Sequence, residues 1–355
     1  MADRAPSVPL TSAPTPTAPA PTPRVSKSTS APSRIPPASR LARFGDKIYG
    51  AAIFLASLSI FGIILWLFWQ LTGASLPSIR HFGLSFITGS EWDEVSSSYH
   101  VLPYIFGTLF SSAIALLLAV PVSIGAAIFL SELAPRWIRT PATFLIELLA
   151  AIPSVVYGLW GIFILIPFMK QFIVTPIVGS RLPHLPIIGQ LFEGQSAGYS
   201  MLAAGMILAI MVTPFITAVT RDILRAIPRS QREGSYALGA TKWETISQVV
   251  VPYAKSGIIG AVILGLGRAL GETMAVTMLI GNQLPNTPNG ISLSVFQPGY
   301  TLASALANKF SEASPGLSTS ALVEVGLVLF GVTIVVNGVA RLLVFYTAKD
   351  VQGGK

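Results

Sequence analysis

Cysteine is absent from this sequence of 355 residues, and charged residues are scarce, at 11% of the total. Without cysteine there is no disulfide framework, no thiolate nucleophile and no thiolate metal ligand. The three histidines, His81, His100 and His184, are scattered and do not have the spacing of metal ligands. No phosphate-cradling GxxxxGK(S/T) loop is present, so we expect the chain not to bind and hydrolyse ATP itself. A membrane enzyme is disfavoured because no set of nucleophile and base is visible.

Apolar residues are abundant: 52% of the chain is hydrophobic and the mean hydropathy is +0.67. Soluble domains usually carry about 25% charged residues, so the composition indicates a membrane protein. A helix needs about 20 apolar residues to cross about 30 Å of hydrocarbon. The sequence predicts an all-α polytopic fold, and Pro121 and Pro153 are expected to tilt or kink two of its spans. The predicted transmembrane helices are 49–71, 102–130, 141–168, 200–224, 256–282 and 318–346.

The composition also predicts how the chain is divided. Residues 1–40 hold ten prolines among Ala, Ser and Thr. Such a segment does not bury a core, so residues 1–48 are predicted to be a disordered tail. Residues 49–101 are expected to form the first transmembrane helix and a loop, and residues 102–350 to form the main transmembrane domain.

Lysine and arginine are distributed unevenly between the segments that connect the predicted spans. One alternate set of segments, with the helix-end residues Arg221 and Arg341, holds 18 of them: 1–48, 131–140, 225–255 and 347–355. The other set holds four: 72–101, 169–199 and 283–317. The positive-inside rule then predicts that both termini are cytoplasmic. It also accounts for the net charge of +8 without nucleic acid, which we do not expect as a partner.

Residues 228–252, PRSQREGSYALGATKWETISQVVVP, form the longest predicted cytoplasmic loop between spans. Two capping boxes, Ser230 to Glu233 and Thr241 to Glu244, predict two short helices. Gly239 lies between them, where a helix end often needs a left-handed residue. Trp243 is a candidate exposed aromatic side chain. The simplest interpretation is an ordered connector, since capping boxes alone are common.

The longer spacing in this loop is more specific. Glu233, Gly239, Val249, Val251 and Pro252 match the pattern EAA-x3-G-x9-I-x-L-P, with conservative replacements. The loop therefore resembles the EAA loop of binding-protein-dependent ABC importer permeases. The resemblance implies that this segment docks into a cytoplasmic ATPase. Its candidate docking residues are Glu233, Gly234, Ser235, Gly239, Ala240, Thr241, Trp243 and Glu244.

Further stretches resemble the phosphate importer permeases of the PstC type: GTLFSSAIALLLAVPVSIGAAIFLSELAP (107–135), FLIELLAAIPSVVYGLWGIFILIP (144–167) and GRALGETMAVTMLIGN (267–282). This resemblance implies the type I ABC importer (MetI-like) permease fold in a bacterial inner membrane. It implies a second permease as heterodimer partner, two ATPase subunits that use ATP and magnesium, and an extracytoplasmic phosphate-binding protein. It implies no cofactor in this chain. The sister phosphate permease and a permease for another oxyanion remain the alternatives.

Two opposite charges lie in the fifth predicted span, Arg268 and Glu272. A charge near the bilayer centre costs at least about 2.5–3.5 kcal/mol, so it normally faces a bundle interior or a water-filled cavity. Four residues apart on a helix, the two side chains share one face. Either they form a structural ion pair, or they line an anion path in which the arginine fork holds phosphate. With Thr273 and Thr277 they are the candidate pathway residues, and no metal site is expected.

Two other carboxylates lie within predicted spans. Glu324 is close to the outer end of its span and is expected to be wet, whereas Glu147 is deeper. For Glu147 a helix-packing hydrogen bond is favoured over pairing with a basic pathway group. Small residues such as Gly257, Ala261, Gly265, Gly267 and Gly271 predict close helix packing.

The function classes that remain open are separable. A secondary transporter or channel predicts broken helices in inverted repeats and no docking loop. We detect no inverted repeat, and the loop indicates an external motor. The long Pro- and Gly-rich loops, with a possible short helix at 301–310, are expected to form a rim for the binding protein.

Overall fold

The computed structural model describes residues 40–180, 183, 185, 189–193, 197–285, 287 and 291–352, and helices dominate this part of the chain. In chain order the helices are α1 (Arg40–Phe82), α2 (Ser85–Thr88), α3 (Leu102–Ile128), α4 (Arg136–Ala151), α5 (Ser154–Trp160), α6 (Ile166–Met169), α7 (Thr175–Val178), α8 (Met201–Ala226), α9 (Arg229–Ala237), α10 (Lys242–Glu244), α11 (Val251–Leu270), α12 (Met274–Leu279), α13 (Leu302–Lys309) and α14 (Leu317–Gln352). Shorter 3-10 and π-helical turns continue or join several of them: Phe129–Leu133, Gly161–Leu165, Lys170–Val174, Gly189–Leu191 and Thr245–Val250. Two short antiparallel strands, β1 (Trp92–Asp93) and β2 (Ser98–Tyr99), form a hairpin.

Six helical segments in the described part of the chain are long and apolar enough to cross a membrane. They are Lys47–Phe82, Leu102–Leu133, Ser154–Val178, Met201–Ala226, Lys242–Leu270 and Leu317–Leu342. The all-α fold with six transmembrane helices is thereby confirmed. Pro121 lies within α3 without ending it.

The chain divides into two compact units, residues 1–61 and residues 62–355. The described part of the first unit is the first half of α1, which begins at Arg40. The predicted tail reached residue 48, but residues 40–48 are helical, since the helix-blocking prolines end at Pro37. Residues 1–39 lie outside the described residues, so a disordered tail there stays a prediction.

The third span differs from the predicted range of 141–168. The helix is interrupted at Ile152 and Pro153, which have extended ψ angles of 131° and 140°. Proline has no backbone N–H to donate and disfavours a helical residue before it, so α4 ends there. The membrane span follows the break, at Ser154–Val178. The α4 helix, which carries Glu147, is a separate helix without buried residues.

The core of the second unit is centred on α8, which packs against α3, α11 and α12. Small residues allow the close approach. A Cβ atom on Gly265 would lie 2.7 Å from the side chain of Ile216, and one on Gly257 would lie 2.6 Å from that of Ile223. Close packing at Gly257 and Gly265 was predicted. A Cβ atom on Gly267 would be in ordinary van der Waals contact with Asn337 on α14, and one on Gly271 would lie 3.7 Å from the Gly267 carbonyl, so neither position requires glycine for packing.

At the end of the bundle that carries α13, an aromatic cluster joins the hairpin to the helices. Trp92 meets Tyr99 and Tyr104 with ring centroids 5.0 and 5.5 Å apart. The hydroxyl of Ser96, with nearby backbone N–H groups, donates to Asp93 and holds the pKa of its carboxyl below the usual range. The short helix expected at 301–310 is present as α13.

Candidate functional site

The fifth span is not one continuous helix from 256 to 282, as the sequence predicted. The α11 helix ends at Leu270, and α12 begins at Met274 after a break at 271–273. Gly271 is a poor helix former, and the two polar residues after it compete for backbone groups. The carboxylate of Glu272 accepts a hydrogen bond from the Ala275 N–H at 3.3 Å, and the Thr273 hydroxyl donates to the Gly271 carbonyl at 3.4 Å.

Arg268 lies in the last turn of α11 and its side chain is exposed. Its guanidinium carbon is 5.9 Å from the centre of the Phe215 ring on α8. Among the ion pairs of the described residues there is none between Arg268 and Glu272. The regular helix that was expected to carry both charges ends at Leu270, so Glu272 lies in the break rather than on the face of α11 that carries Arg268. What remains is a lone arginine beside a polar break.

The two candidate threonines lie within and just after this break. Both are half-buried. The Thr277 hydroxyl donates to the Thr273 carbonyl at 2.7 Å, and the Asn282 amide donates to the Thr277 carbonyl at 2.7 Å. A hydroxyl that donates in this way keeps lone pairs for accepting. The break thus brings carboxylate, hydroxyl and guanidinium groups into one stretch of chain.

Tight packing on α5 holds the short α12 helix in place. A Cβ atom on Gly158 would overlap the Met278 sulfur and lie 3.3 Å from the Ala275 Cα atom. A Cβ atom on Gly161 would lie 2.6 Å from the Leu279 side chain. These glycines let α12 pack closely on the helix of the third span, just after the break.

The 228–252 loop forms the two predicted short helices, α9 and α10. Gly239 has φ +86°, in the left-handed region that the end of α9 requires. The second capping box is present: the Thr241 hydroxyl accepts from the Glu244 N–H at 3.3 Å, and the Glu244 carboxylate accepts from the Thr241 N–H at 2.8 Å. The first box, at Ser230 and Glu233, is not.

The α9 helix begins at Arg229, and Pro228 occupies its N-cap without a side-chain hydrogen bond. The predicted box started two residues too late, because Pro228 has already set the extended backbone of the N-cap. The carboxylate of Glu233 is therefore not committed to capping, and its residue is exposed.

An exposed face extends over both short helices. Trp243 is 68% exposed and Leu238 is 91% exposed, beside the exposed Glu233 and Tyr236. A Cβ atom added to Gly234 or Gly239 would have no neighbouring atom within 4 Å, so neither glycine is needed for close packing. Ser235 and Ala240 are half-buried on the inner side, where the Ser235 hydroxyl lies 3.0 Å from that of Thr245.

Two arginines in ion pairs, the buried Arg221 and the half-buried Arg232, were not singled out as site residues from the sequence. Arg221 on α8 lies 3.2 Å from Glu147 on α4 and 2.9 Å from Asp222. Glu147 thus forms a hydrogen-bonded ion pair with a basic residue that links α4 to α8, and α4 lies outside the span. Arg232 on α9 lies 2.7 Å from Glu132. Arg221 and Glu147 are 74 residues apart, and Arg232 and Glu132 are 100 residues apart, so no local pattern indicates these two pairs.

Glu324 on α14 is buried, at 5% exposure, although its position near the span end predicted a wet side chain. The neighbouring end of α1 covers this part of α14: the Ser320 hydroxyl donates to the Ala74 carbonyl at 2.9 Å and accepts from the Ser78 N–H at 3.2 Å.

The described residues contain no cluster of three or more potential metal ligands.

Comparisons with known proteins agree with this architecture. Residues 119–347 match the family model of the binding-protein-dependent transport system inner membrane component. The chain is 44% identical to the phosphate transport system permease protein PstC of Haemophilus influenzae, over 84% of this chain and 93% of that protein. It is 42% identical to the PstC of Xylella fastidiosa, over 92% and 97%.

A solved structure supports the fold. A chain of a bacterial alginate ABC transporter in complex with an alginate-bound periplasmic protein aligns with a TM-score of 0.51 at 14% identity, over 89% of this chain and 99% of that chain. At this identity the likeness concerns the fold alone. From the family match and the PstC relatives together, the chain belongs to the binding-protein-dependent transport system inner membrane components, and among them to the PstC-type permeases.

Proposed function

We propose that this chain is a transmembrane permease subunit of an ATP-driven importer of inorganic phosphate. It forms half of the translocation pathway and performs no chemistry itself. The proposal draws on the PstC relatives, whose names state phosphate transport. The alternatives are the sister phosphate permease and a permease for another oxyanion.

The observation that carries the proposal is the lone Arg268 in the fifth span. An exposed guanidinium without an ion pair in the described chain is costly against lipid, so it faces a water-filled cavity or the partner permease. The adjacent break at 271–273 adds irregular backbone and polar side chains at the same depth. Irregular backbone at membrane depth is tolerated where it lines a cavity. An anion path along this face accounts for both features.

Selection of phosphate follows from the groups that the break presents. The arginine fork suits two oxygens of a tetrahedral anion. The Glu272 carboxylate accepts a hydrogen bond from the protonated oxygen of hydrogen phosphate. Sulfate at neutral pH has no proton to donate. The hydroxyls of Thr273 and Thr277 complete the polar lining. Glu272 already accepts one backbone N–H, which fixes its orientation.

The exposed face of α9 and α10 is the docking surface for an ATPase subunit in this proposal. Trp243 and Leu238 supply apolar area, and Glu233 supplies a charge free of intrachain capping. Large exposed aromatic side chains next to charge are typical of interface centres. ATP and magnesium are bound by the two ATPase subunits, while this chain transmits their motion.

The orientation of the chain in the membrane, predicted from its lysine and arginine distribution, places the remaining parts of the assembly. Both termini and the α9–α10 loop lie in the cytoplasm, and the membrane is the bacterial inner membrane. The second permease completes the pathway as a heterodimer. The loops at the α13 end face an extracytoplasmic phosphate-binding protein.

The test reconstitutes this chain with its second permease, the ATPase subunits and the binding protein in proteoliposomes. We expect ATP-dependent uptake of labelled phosphate that excess sulfate does not compete away. Uptake of sulfate instead would support the oxyanion alternative, and uptake of phosphate without any ATPase subunit would indicate a secondary transporter.

The docking surface is tested by Trp243→Ala, with Trp69→Ala as the matched control. Both tryptophans are largely exposed, and Trp69 lies in α1 away from the loop. We expect ATPase subunits to co-purify with the control but to be lost or weakened with Trp243→Ala. Equal co-purification of both variants would contradict docking at this face.

A further inference from the structure

Arg232 extends from α9 to the membrane helices rather than to the exposed face of the loop. Its Nη2 lies 2.7 Å from Glu132 Oε1 and its Nε lies 3.3 Å from Glu132 Oε2, so the contact is bidentate. The same guanidinium donates to the carbonyls of Ile227 and Leu224, both at 2.8 Å. The side chains of the pair are 17% and 10% exposed. A planar fork on a carboxylate has fixed geometry, so the contact is stiff.

The groups that Arg232 holds belong to two membrane helices. Glu132 lies in the π-helical turn Phe129–Leu133, which follows α3, whereas Leu224 and Ile227 lie at the end of α8. These two helices are joined further along by the Ser123 hydroxyl, which donates to the Thr213 carbonyl at 3.1 Å. Arg232 therefore fastens α9 to a packed helix pair.

The α9 helix has few other attachments to the bundle. None of its residues is buried. In the described part of the chain, its other side-chain hydrogen bond to a neighbouring segment is the one between the Ser235 and Thr245 hydroxyls, at 3.0 Å. That bond is neutral and single, whereas Arg232 makes a charged fork and two carbonyl contacts. Besides the chain connections at its two ends and its packing on the Thr245–Val250 turn, α9 is thus linked to the membrane helices through the charged fork of Arg232.

We propose that the Arg232–Glu132 contact acts as a lever between the 228–252 loop and the membrane helices. Through this contact a displacement of α9 becomes a displacement of α3 and α8. The inference rests on the proposed function, in which an ATPase subunit moves α9. Without the contact, α9 follows the ATPase while the membrane helices stay behind. Arg232 and Glu132 are positioning residues in this role, and neither contacts the transported anion.

The test uses the complete reconstituted complex with Glu132→Gln or Arg232→Gln. The measured quantities are ATPase co-purification, basal ATP hydrolysis, its stimulation by phosphate-loaded binding protein, and phosphate uptake. We expect assembly and basal hydrolysis to persist, while stimulation and uptake fall by about 5–150-fold, the usual range of coupling between sites. The matched control is Arg225→Gln in the last turn of α8, an exposed arginine outside the docking surface and without an ion pair in the described residues. It is expected to behave as the wild type.

A cross-linking arm separates a lever from a merely structural contact. Because the chain has no cysteine, Glu132→Cys and Arg232→Cys can be combined and joined by a short bismaleimide, with partner subunits freed of cysteine. We expect the double variant to be uncoupled before cross-linking and to regain stimulated hydrolysis and uptake afterwards. Arg232→Lys, which keeps the charge but loses the fork, is expected to assemble and to be partly coupled.

Two results would overturn the proposal: wild-type stimulation and uptake in both glutamine variants, or lost coupling that the cross-link does not restore. A wild-type complex that binds no ATPase or takes up no phosphate would instead contradict the proposed function. The two failures are therefore distinguishable in one set of measurements.

Discussion

Replacing Arg268 with alanine is expected to slow transport strongly while leaving the complex intact. The guanidinium contacts the Phe215 ring at 5.9 Å and has no ion pair among the described residues. Losing an exposed cation–π contact costs about 0.5–1 kcal/mol, which is too little to unfold the bundle. A hydrogen bond from a charged group to an anion contributes about 1.5–3 kcal/mol. If it acts in the transport step, its loss corresponds to about a 10- to 150-fold slower rate.

The assay is ATP-driven phosphate uptake in proteoliposomes at saturating phosphate-loaded binding protein, with ATPase co-purification and thermal stability as measures of integrity. Arg268→Lys keeps the charge but loses the planar fork, so we expect its uptake to lie between those of the wild type and Arg268→Ala. Arg341→Ala removes another exposed arginine, on α14, and serves as the control. Wild-type uptake by an intact Arg268→Ala complex would show that Arg268 does not line the anion path. A complex that falls apart would assign the arginine to structure.

Two further changes test the packing and the loop. Gly265→Val places a side chain 2.7 Å from Ile216 and 2.9 Å from Val212, so we expect about 1–3 kcal/mol of destabilisation from overpacking, measured as a lower Tm of the purified chain. An unchanged Tm would contradict the α8–α11 register. Thr241→Ala removes the hydroxyl that caps the Glu244 N–H, so we expect about 0.5–2 kcal/mol less local stability and faster amide hydrogen exchange over 241–250. Exchange at the wild-type rate would count against a capped docking helix.

Features that depend on local composition could be predicted from the sequence. Long apolar runs predict membrane helices because a span must satisfy its own backbone polar groups. The capping box at Thr241 and Glu244 and the left-handed Gly239 depend on residues close together in the chain, and both are present. The helix at α13 was predicted for the same reason.

Features that depend on competition between neighbours were predicted less well. A hydropathy profile does not show the helix break after Leu270, because Gly271 is itself apolar. The break also depends on the Glu272 carboxylate, which accepts a hydrogen bond from a backbone N–H, and hydropathy does not describe such bonds. The break at Pro153 moved the third span because proline ends a helix irrespective of the hydropathy around it.

Contacts between distant residues left no signal at all. Glu132 and Arg232 are separated by 100 residues, and only the folded bundle brings them together. Glu324 was expected to be wet from its distance to a span end, yet packing of α1 against α14 buries it. Span length gives depth in the membrane, but it does not indicate which neighbour covers a side chain.

Arg268 is proposed to line the anion pathway. The most direct measurement is a structure of the assembled complex trapped with phosphate, with the distances between the Arg268 guanidinium nitrogens and the phosphate oxygens. We predict distances of about 2.7–2.9 Å, with the Glu272 carboxylate facing the same cavity. An Arg268 guanidinium that faces lipid, or that pairs with a carboxylate of the second permease while phosphate binds elsewhere, would contradict the account.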